Sequence, residues 1–293
     1  MKTKYKTIPI ILGLLVALNS CKNTIELPKF DWSVGDGVEL DVRIDESSGL
    51  SLIDNSLWTI NDGGDESNLY QINKDTGKVE RTVRVENADN RDWEELASDK
   101  NNVYIGDFGN NKGERTDLKI YKMSKAELSG SKGYADVIEF SYPEQDSFIE
   151  DRDTKFDCEA MVVINDIIYI FTKNHKTETT TDLYKLTTTP GIQVAEYVST
   201  FDVGMLVSGA DISPDGKTLS LIGYSKYLNP MVVLFSKDKD GEFQDFKHIT
   251  FQKTPIAQIE GVSFETNNRL LISSEHFKYS VYELKQMMYT LDF

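Results

Sequence analysis

The segment RDWEELAS, residues 91–98, sets Asp92, Glu94 and Glu95 around a tryptophan, directly ahead of a short apolar run. Related segments recur along the chain as SSGLSL, CEAMVV, GADISP and IEGVSF. With Leu50, Leu96, Met161, Ile212 and Val262 as the anchoring apolar residues, the separations are 46, 65, 51 and 50 residues. Two positions ahead of each anchor stand Ser48, Glu94, Glu159, Ala210 and Glu260. Four positions ahead stand Glu46, Asp92, Asp157, Ser208 and Gln258, and Asp211 immediately precedes the fourth anchor. Carboxylates gathered at one place must be protonated, bridged by Lys or Arg, or neutralised by a bound cation. A hard cation with oxygen ligands from several repeats is the simplest solution, and flexible high coordination favours Ca²⁺ over Mg²⁺. The predicted metal ligands are therefore Glu94, Glu159, Glu260, Asp92, Asp157 and Asp211. The same side chains could instead cap strand ends or face solvent.

A second apolar run ends near residues 61, 107, 173, 224 and 274 of the five repeats. If the two runs of each repeat form an antiparallel hairpin, its end meets the start of the first run on one face. That face would gather Asn61, Asp62, Asp107, Lys173 and Glu275 as ligand-binding candidates. Two of the three histidines, His175 and His276, fall in the same set and are the candidates for acid/base chemistry. No catalytic residue is otherwise assigned. The chain has no Gly-rich phosphate loop, no GxSxG elbow and no Cys/His zinc spacing. Trp93 reads as packing between repeats and Cys158 as a buried filler with no activating base nearby.

The elements that would position these residues are short strands. Runs such as SLWTIND, NVYIGDF, IIYIFTK, TLSLIGY and RLLISSE alternate with Asn, Asp, Gly and Lys turns. Third runs follow (NLYQIN, LKIYKM, DLYKL, MVVLFS, SVYEL), and fourth runs follow in most units. Four antiparallel strands at roughly 50-residue spacing predict an all-β fold, a β-propeller of four-stranded blades. Five blades are expected, with six as the alternative. The last unit has three strands, so GVELDVRI near the N-terminus is expected to supply the fourth by pairing with the strand at residues 279–284, closing the ring. Ser124–Glu127 has capping-box spacing and predicts a lone helical turn.

Ahead of the repeats, Lys2, Lys4 and Lys6 precede an apolar stretch from Ile8 to Leu18, too short to span a membrane comfortably. Leu18-Asn19-Ser20-Cys21 then resembles the lipobox of bacterial lipoproteins. That resemblance implies cleavage before Cys21, acylation of its thiol and amine, and anchoring to a lipid bilayer on the extracytoplasmic side of a bacterial cell envelope. The expected organisation is a signal peptide over 1–20, a tether over 21–37 and the propeller over 38–293. With Cys21 acylated, Cys158 has no disulfide partner. The formal net charge of −16 excludes nucleic acid as a natural partner, since that needs clustered Lys and Arg.

Glu159-Ala160-Met161 and Glu260-Gly261-Val262, each opening a repeat, resemble the element of the SdiA-regulated and phytase-like propeller proteins. The resemblance spans most of residues 46–285 and implies an extracytoplasmic propeller, in some members with Ca²⁺ at the inner acidic residues. Ser48-Gly49 and Ala210-Asp211 depart from the pattern. The first function expected is binding of a small-molecule or protein ligand at an acidic channel mouth. A metal-dependent hydrolase of the lactonase or phosphoesterase type, and a structural scaffold of an envelope complex, are the alternatives.

Overall fold

The computed structural model describes residues 37–238, 242–250, 258–279 and 282–293; the lipobox and Cys21 lie outside them. The described chain is a five-bladed β-propeller. From the channel outward, blade 1 has strands Ser47–Ile53, Ser56–Asn61, Asn68–Ile72 and Val79–Val85. Blade 2 has Trp93–Ser98, Asn102–Asp107, Lys119–Ser124 and Ala135–Ser141. Blade 3 has Asp157–Ile164, Ile167–Lys173, Thr180–Thr187 and Glu196–Asp202. Blade 4 has Leu206–Ile212, Thr218–Tyr224, Pro230–Lys237 and Phe243–Thr250. Blade 5 has Ile259–Thr266, Arg269–Ser274 and Met287–Asp292, with Val38–Glu39 on its outer edge.

Alternation along the inner strands explains their nearly unbroken apolar character. Met161 and Val163 point to one side of blade 3 and pack against Ala97, Tyr104 and Phe108 of blade 2. Ala160 and Val162 point to the other side and pack against Val207 and Ala210 of blade 4. Each remaining interface has its own cluster: Trp93 against Trp58 and Leu69 between blades 1 and 2, Ile222 against Val262 between 4 and 5, and Leu271 against Leu50 between 5 and 1. Tight two-residue turns join the first hairpins of blades 1 and 3, where Asp54-Asn55 and Asn165-Asp166 take positive φ.

The ring closes with an N-terminal strand, but against a different partner from the one expected. Val38 pairs with Met288 and Glu39 with Met287. The segment Tyr282–Leu284 instead folds back on Phe277–Tyr279 as a separate hairpin, leaving Met287–Asp292 to pair with Arg269–Ser274. The rest of GVELDVRI is not strand: Val42–Ile44 forms a 3₁₀ turn capped by Asp41. Another 3₁₀ turn, Lys125–Ser129, is capped by Ser124 at the place the capping-box spacing indicates. Two short strands extend the outer edges. Lys132–Gly133, from the connection within blade 2, lies parallel to blade 1, and Gly191–Val194, from blade 3, lies parallel to blade 2.

Each inner strand carries a register shift near its start: between Ser48 and Leu50, Trp93 and Glu95, Cys158 and Ala160, Val207 and Gly209, and Ile259 and Gly261. A bulge of this kind re-aims the extra side chain, and in three blades that residue is Glu94, Glu159 or Glu260. The ladders also correct the fourth repeat. Ala210 pairs with Leu221 as Met161 pairs with Ile170, so Ala210, not Ile212, is its anchor. The inner strands approach one another closely here. A Cβ on Gly49, where φ is +56°, would lie 2.8 Å from the Glu95 carbonyl carbon of blade 2, so neither the conformation nor the space admits a larger residue.

Candidate metal centre at the channel mouth

The bulges and the ends of the second strands bring acidic residues to one mouth of the channel. Asp62 follows the second strand of blade 1, Asp92 precedes the inner strand of blade 2, and Glu94 is its bulge residue. One oxygen from each of these three carboxylates lies within 4.8 Å of the other two. Asp62 accepts a hydrogen bond from the Gly63 N–H. The Asp92 and Glu94 carboxylates receive none among the described residues, and their surroundings supply only burial and other charges. Burial pushes Asp62 up to about 6 and Asp92 up to about 7, and raises Glu94 further above the usual carboxylate range. Mutual repulsion adds to each shift: Asp62 acts on Asp92, and Asp62, Glu159 and Asp92 act on Glu94. Backbone closes on the pair from two sides. A Cβ at Gly63 would sit 2.5 Å from Asp92 Oδ1, and one at Gly109 would sit 2.6 Å from Asp92 Oδ2 and against Glu94 Oε1. Arg115 opposes the shift of Asp92 and Lys173 that of Asp62 through space, but both are ion-paired elsewhere; such a cradle of hard oxygen donors fits a divalent metal such as Ca²⁺.

Most of the other mouth residues find partners within the chain. Lys173 Nζ lies 3.1 Å from Glu159 Oε1 and 5.2 Å from the centre of the Tyr224 ring. Glu260 stands beside this pair; burial raises it while the Lys173 charge and hydrogen bonds from Ser208, Tyr224 and Gln258 oppose the shift. Its Oε2 is buried with no partner among the described residues. Glu275 is also raised by burial and by Glu260. Asp157 is fully buried; its Oδ1 accepts the Asn110 N–H at 2.5 Å and its Oδ2 meets His175 Nε2 at 2.7 Å. Asp107 is paired with Arg115 at 2.9 Å, and the Arg115 guanidinium also donates to the Gly109 carbonyl at 2.8 Å. Arg115 was not among the sequence candidates; it lies in a loop of blade 2 with no periodic signal. Asn61 donates to the Arg43 carbonyl at 2.9 Å and to Asp65. A cavity of about 600 Å³ opens beside this group, lined by Arg43, Glu46, Asn61, Gly63 and Asp65.

One predicted ligand, Asp211, is placed differently from the sequence reading, and His276 and Glu95 have partners the sequence does not show. Asp211 lies toward the opposite end of the channel, because it follows the true anchor Ala210; its carboxylate accepts the Phe264 and Ile212 N–H groups at 2.7 and 2.8 Å and the Ser263 hydroxyl at 3.2 Å. It lines a separate cavity of about 510 Å³ with Ser51, Ala97, Val162 and Ser263. His276 is taken up by Glu283 at 3.1 Å, on the hairpin after blade 5. Glu95, not singled out as a ligand, is fully buried and reaches across the channel. Its carboxylate accepts the Leu96 N–H at 2.9 Å and the Ala210 N–H of blade 4 at 2.8 Å, with the Met161 N–H of blade 3 contributing as well. Trp93 is fully buried between blades 1 and 2, its indole N–H donating to the Asp89 carbonyl at 3.1 Å. Cys158 is fully buried, and burial pushes its thiol up.

These shifts fix the sign of a pH dependence. The folded chain keeps protons on Asp62 and Asp92 that the unfolded chain releases near pH 4, so stability falls as pH rises toward the folded values of about 6 and about 7. In metal-free buffer the unfolding midpoint is expected to drop between about pH 4 and pH 7, and Asp92→Asn to flatten that slope. A midpoint that rises across this window in both proteins would contradict the assignment.

No protein-family profile matches the chain, and no curated protein matches it in sequence. Solved structures share its architecture. The PQQ-bound aldose sugar dehydrogenase from Streptomyces coelicolor superposes with a TM-score of 0.51 at 11% identity, covering 90% of this chain and 99% of that one. A gluconolactonase from Xanthomonas campestris gives 0.45 at 11% identity, over 89% and 98% of the two chains. At 11% identity the likeness to the dehydrogenase is one of fold alone.

Proposed function

We propose that the protein is a lipid-anchored, extracytoplasmic propeller that takes a divalent cation, Ca²⁺, at its channel mouth and through it holds an oxygen-rich ligand. The observation that carries this reading is the Asp62–Asp92–Glu94 cluster. Arg115 is committed to Asp107 and Lys173 to Glu159, so among the described residues no basic side chain is ion-paired with the three carboxylates of blades 1 and 2. Ionised and facing one another in a buried mouth, they need a cation. A cavity lined by Asn61 and Gly63, the chain neighbours of Asp62, offers room for a small ligand next to the cluster. Because the mouth's basic groups are already paired, a heavily phosphorylated ligand is poorly matched.

Metal-free protein is expected to gain thermal stability on addition of millimolar Ca²⁺ and to lose it again with chelator. A ligand at 100 times its dissociation constant adds about 2.7 kcal/mol. Asp92→Asn should weaken calcium binding by at least the roughly 10–100-fold that loss of an outer supporting group costs, because it replaces a direct carboxylate ligand with a neutral amide. Melting curves that superimpose with and without Ca²⁺ would remove the metal site.

A second reading, a metal-dependent hydrolase of the lactonase type, is favoured by the His175–Asp157 pair. Asp157 holds Nε2 of the imidazole, leaving Nδ1 on a quarter-exposed side chain to accept or deliver a proton. A bound divalent cation would supply Lewis-acid polarisation of a carbonyl or phosphoryl oxygen. In a panel of lactones and esters, His175→Gln is expected to cut kcat by roughly 10²–10⁴-fold while leaving calcium affinity unchanged. If no substrate turns over, or turnover is indifferent to this substitution, the binding reading stands alone.

The anchor rests on Lys2, Lys4, Lys6 and the Leu18–Cys21 lipobox. In a bacterial host, Cys21→Ala is expected to abolish incorporation of a fatty-acid analogue and to release the protein from membranes. Undiminished labelling of that variant would refute the anchor.

A further inference from the structure

The mouth holds two groups of carboxylates that meet the same electrostatic problem differently. On the side of blades 1 and 2, Asp62, Asp92 and Glu94 converge with no basic side chain ion-paired to them among the described residues. On the side of blades 3 and 5, Glu159 and Glu260 converge on Lys173, which comes from the end of the second strand of blade 3. Lys173 is only 9% exposed, and its ammonium is fixed by Glu159 at 3.1 Å and by the face of Tyr224 at 5.2 Å. Independently of the acidic clustering, Glu260 Oε2 is a buried oxygen with no partner among the described residues, on a side chain 5% exposed. Glu260 is close enough to act on Glu159, Glu275 and Lys173. It is therefore a spare ligand atom inside a group that already contains a cation.

We propose that Lys173 is a built-in counter-cation that occupies a second divalent-cation subsite, formed by Glu159 and Glu260 with Glu275 beside them, and so limits the mouth to one metal ion. The proposal rests on the metal reading of the blade 1–2 cluster. The single positive charge of Lys173 is paired with Glu159 and acts on Glu260 only through space, leaving Glu260 Oε2 without a partner among the described residues. Without the ammonium, the carboxylates of blades 3 and 5 would be buried and uncompensated, the condition that a divalent cation relieves. Lys173 thus acts as a specificity residue, setting how many cations the mouth takes and which carboxylates are left to bind them.

The test is the calcium content of purified full-length protein, measured by elemental analysis after equilibration with Ca²⁺ and by calorimetric titration of metal-free protein. Wild-type protein is expected to bind one ion per chain at the mouth and Lys173→Met two, with Lys173→Arg staying at one. Adding Glu260→Gln to Lys173→Met should return the count to one. One ion in both wild type and Lys173→Met overturns the proposal and leaves the blade 1–2 site intact. No ion in wild type removes the metal reading itself, a distinguishable result. If Lys173→Met folds only with calcium, the metal replaces the ammonium as proposed. If it fails to fold at any calcium concentration, no cation substitutes for Lys173 and the proposal is wrong.

Discussion

The rest of the structure depends on how closely five inner strands must approach to close a ring. The residue ahead of the anchor is Gly49, Ala160, Gly209 and Gly261 in four blades; a Cβ on Gly49 or Gly209 would meet the backbone of an adjacent blade, and one on Gly261 would meet Ser273 Oγ and the Leu50 side chain. Blade 2 alone carries a large side chain there, Glu95, and it turns into the axis and accepts N–H groups from other inner strands. A buried carboxylate is tolerable when backbone donors surround it. Here those donors come from blades 2, 3 and 4, so the same bonds tie non-adjacent blades together through the channel. The bulge beside this position is what turns Glu94, Glu159 and Glu260 toward the mouth. Tight closure therefore creates the acidic site as a geometric consequence.

The site then shows three ways of managing buried negative charge. Glu95 and Asp211 are satisfied by backbone N–H groups. Glu159 and Asp107 are neutralised by Lys173 and Arg115. Asp92 and Glu94 have neither solution among the described residues and Asp62 has only the Gly63 N–H, and burial and repulsion push all three upward. The raised values express a mismatch between fold and charge that a proton relieves at low pH and a cation relieves at neutral pH. Internal pairing of Glu159 and Asp107 elsewhere in the mouth leaves this cluster as the one where three carboxylates face one another without an ion pair among the described residues.

Much of this architecture is legible in the sequence, and the failures have physical causes. The repeat period, the five blades and the return of the second strands to the mouth follow from short alternating runs and turn residues. The anchor of blade 4 is misplaced by two residues because strand side chains alternate with a period of two. Ala210 and Ile212 face the same way, and the apolar pattern cannot separate them. Asp211 then mimics the carboxylate that Ser208 replaces, though it points to the far end of the channel. The third strand of blade 5 is misread for a related reason, since both SVYEL and MMYTLD alternate acceptably and only pairing decides between them. Lys173 was legible as a mouth residue, but not its pairing with Glu159, which depends on three-dimensional proximity. Glu95 left a usable signal: it stands where four other repeats carry Gly or Ala.

The central claim is that one cation sits among Asp62, Asp92 and Glu94. Crystals grown or soaked with calcium, with anomalous data collected, test it most directly. The account predicts a peak at the channel mouth about 2.3–2.6 Å from oxygens of all three residues, with Lys173 still paired to Glu159. A mouth without a peak at millimolar calcium, or a peak among Glu159, Glu260 and Glu275 in the wild-type protein, would contradict it.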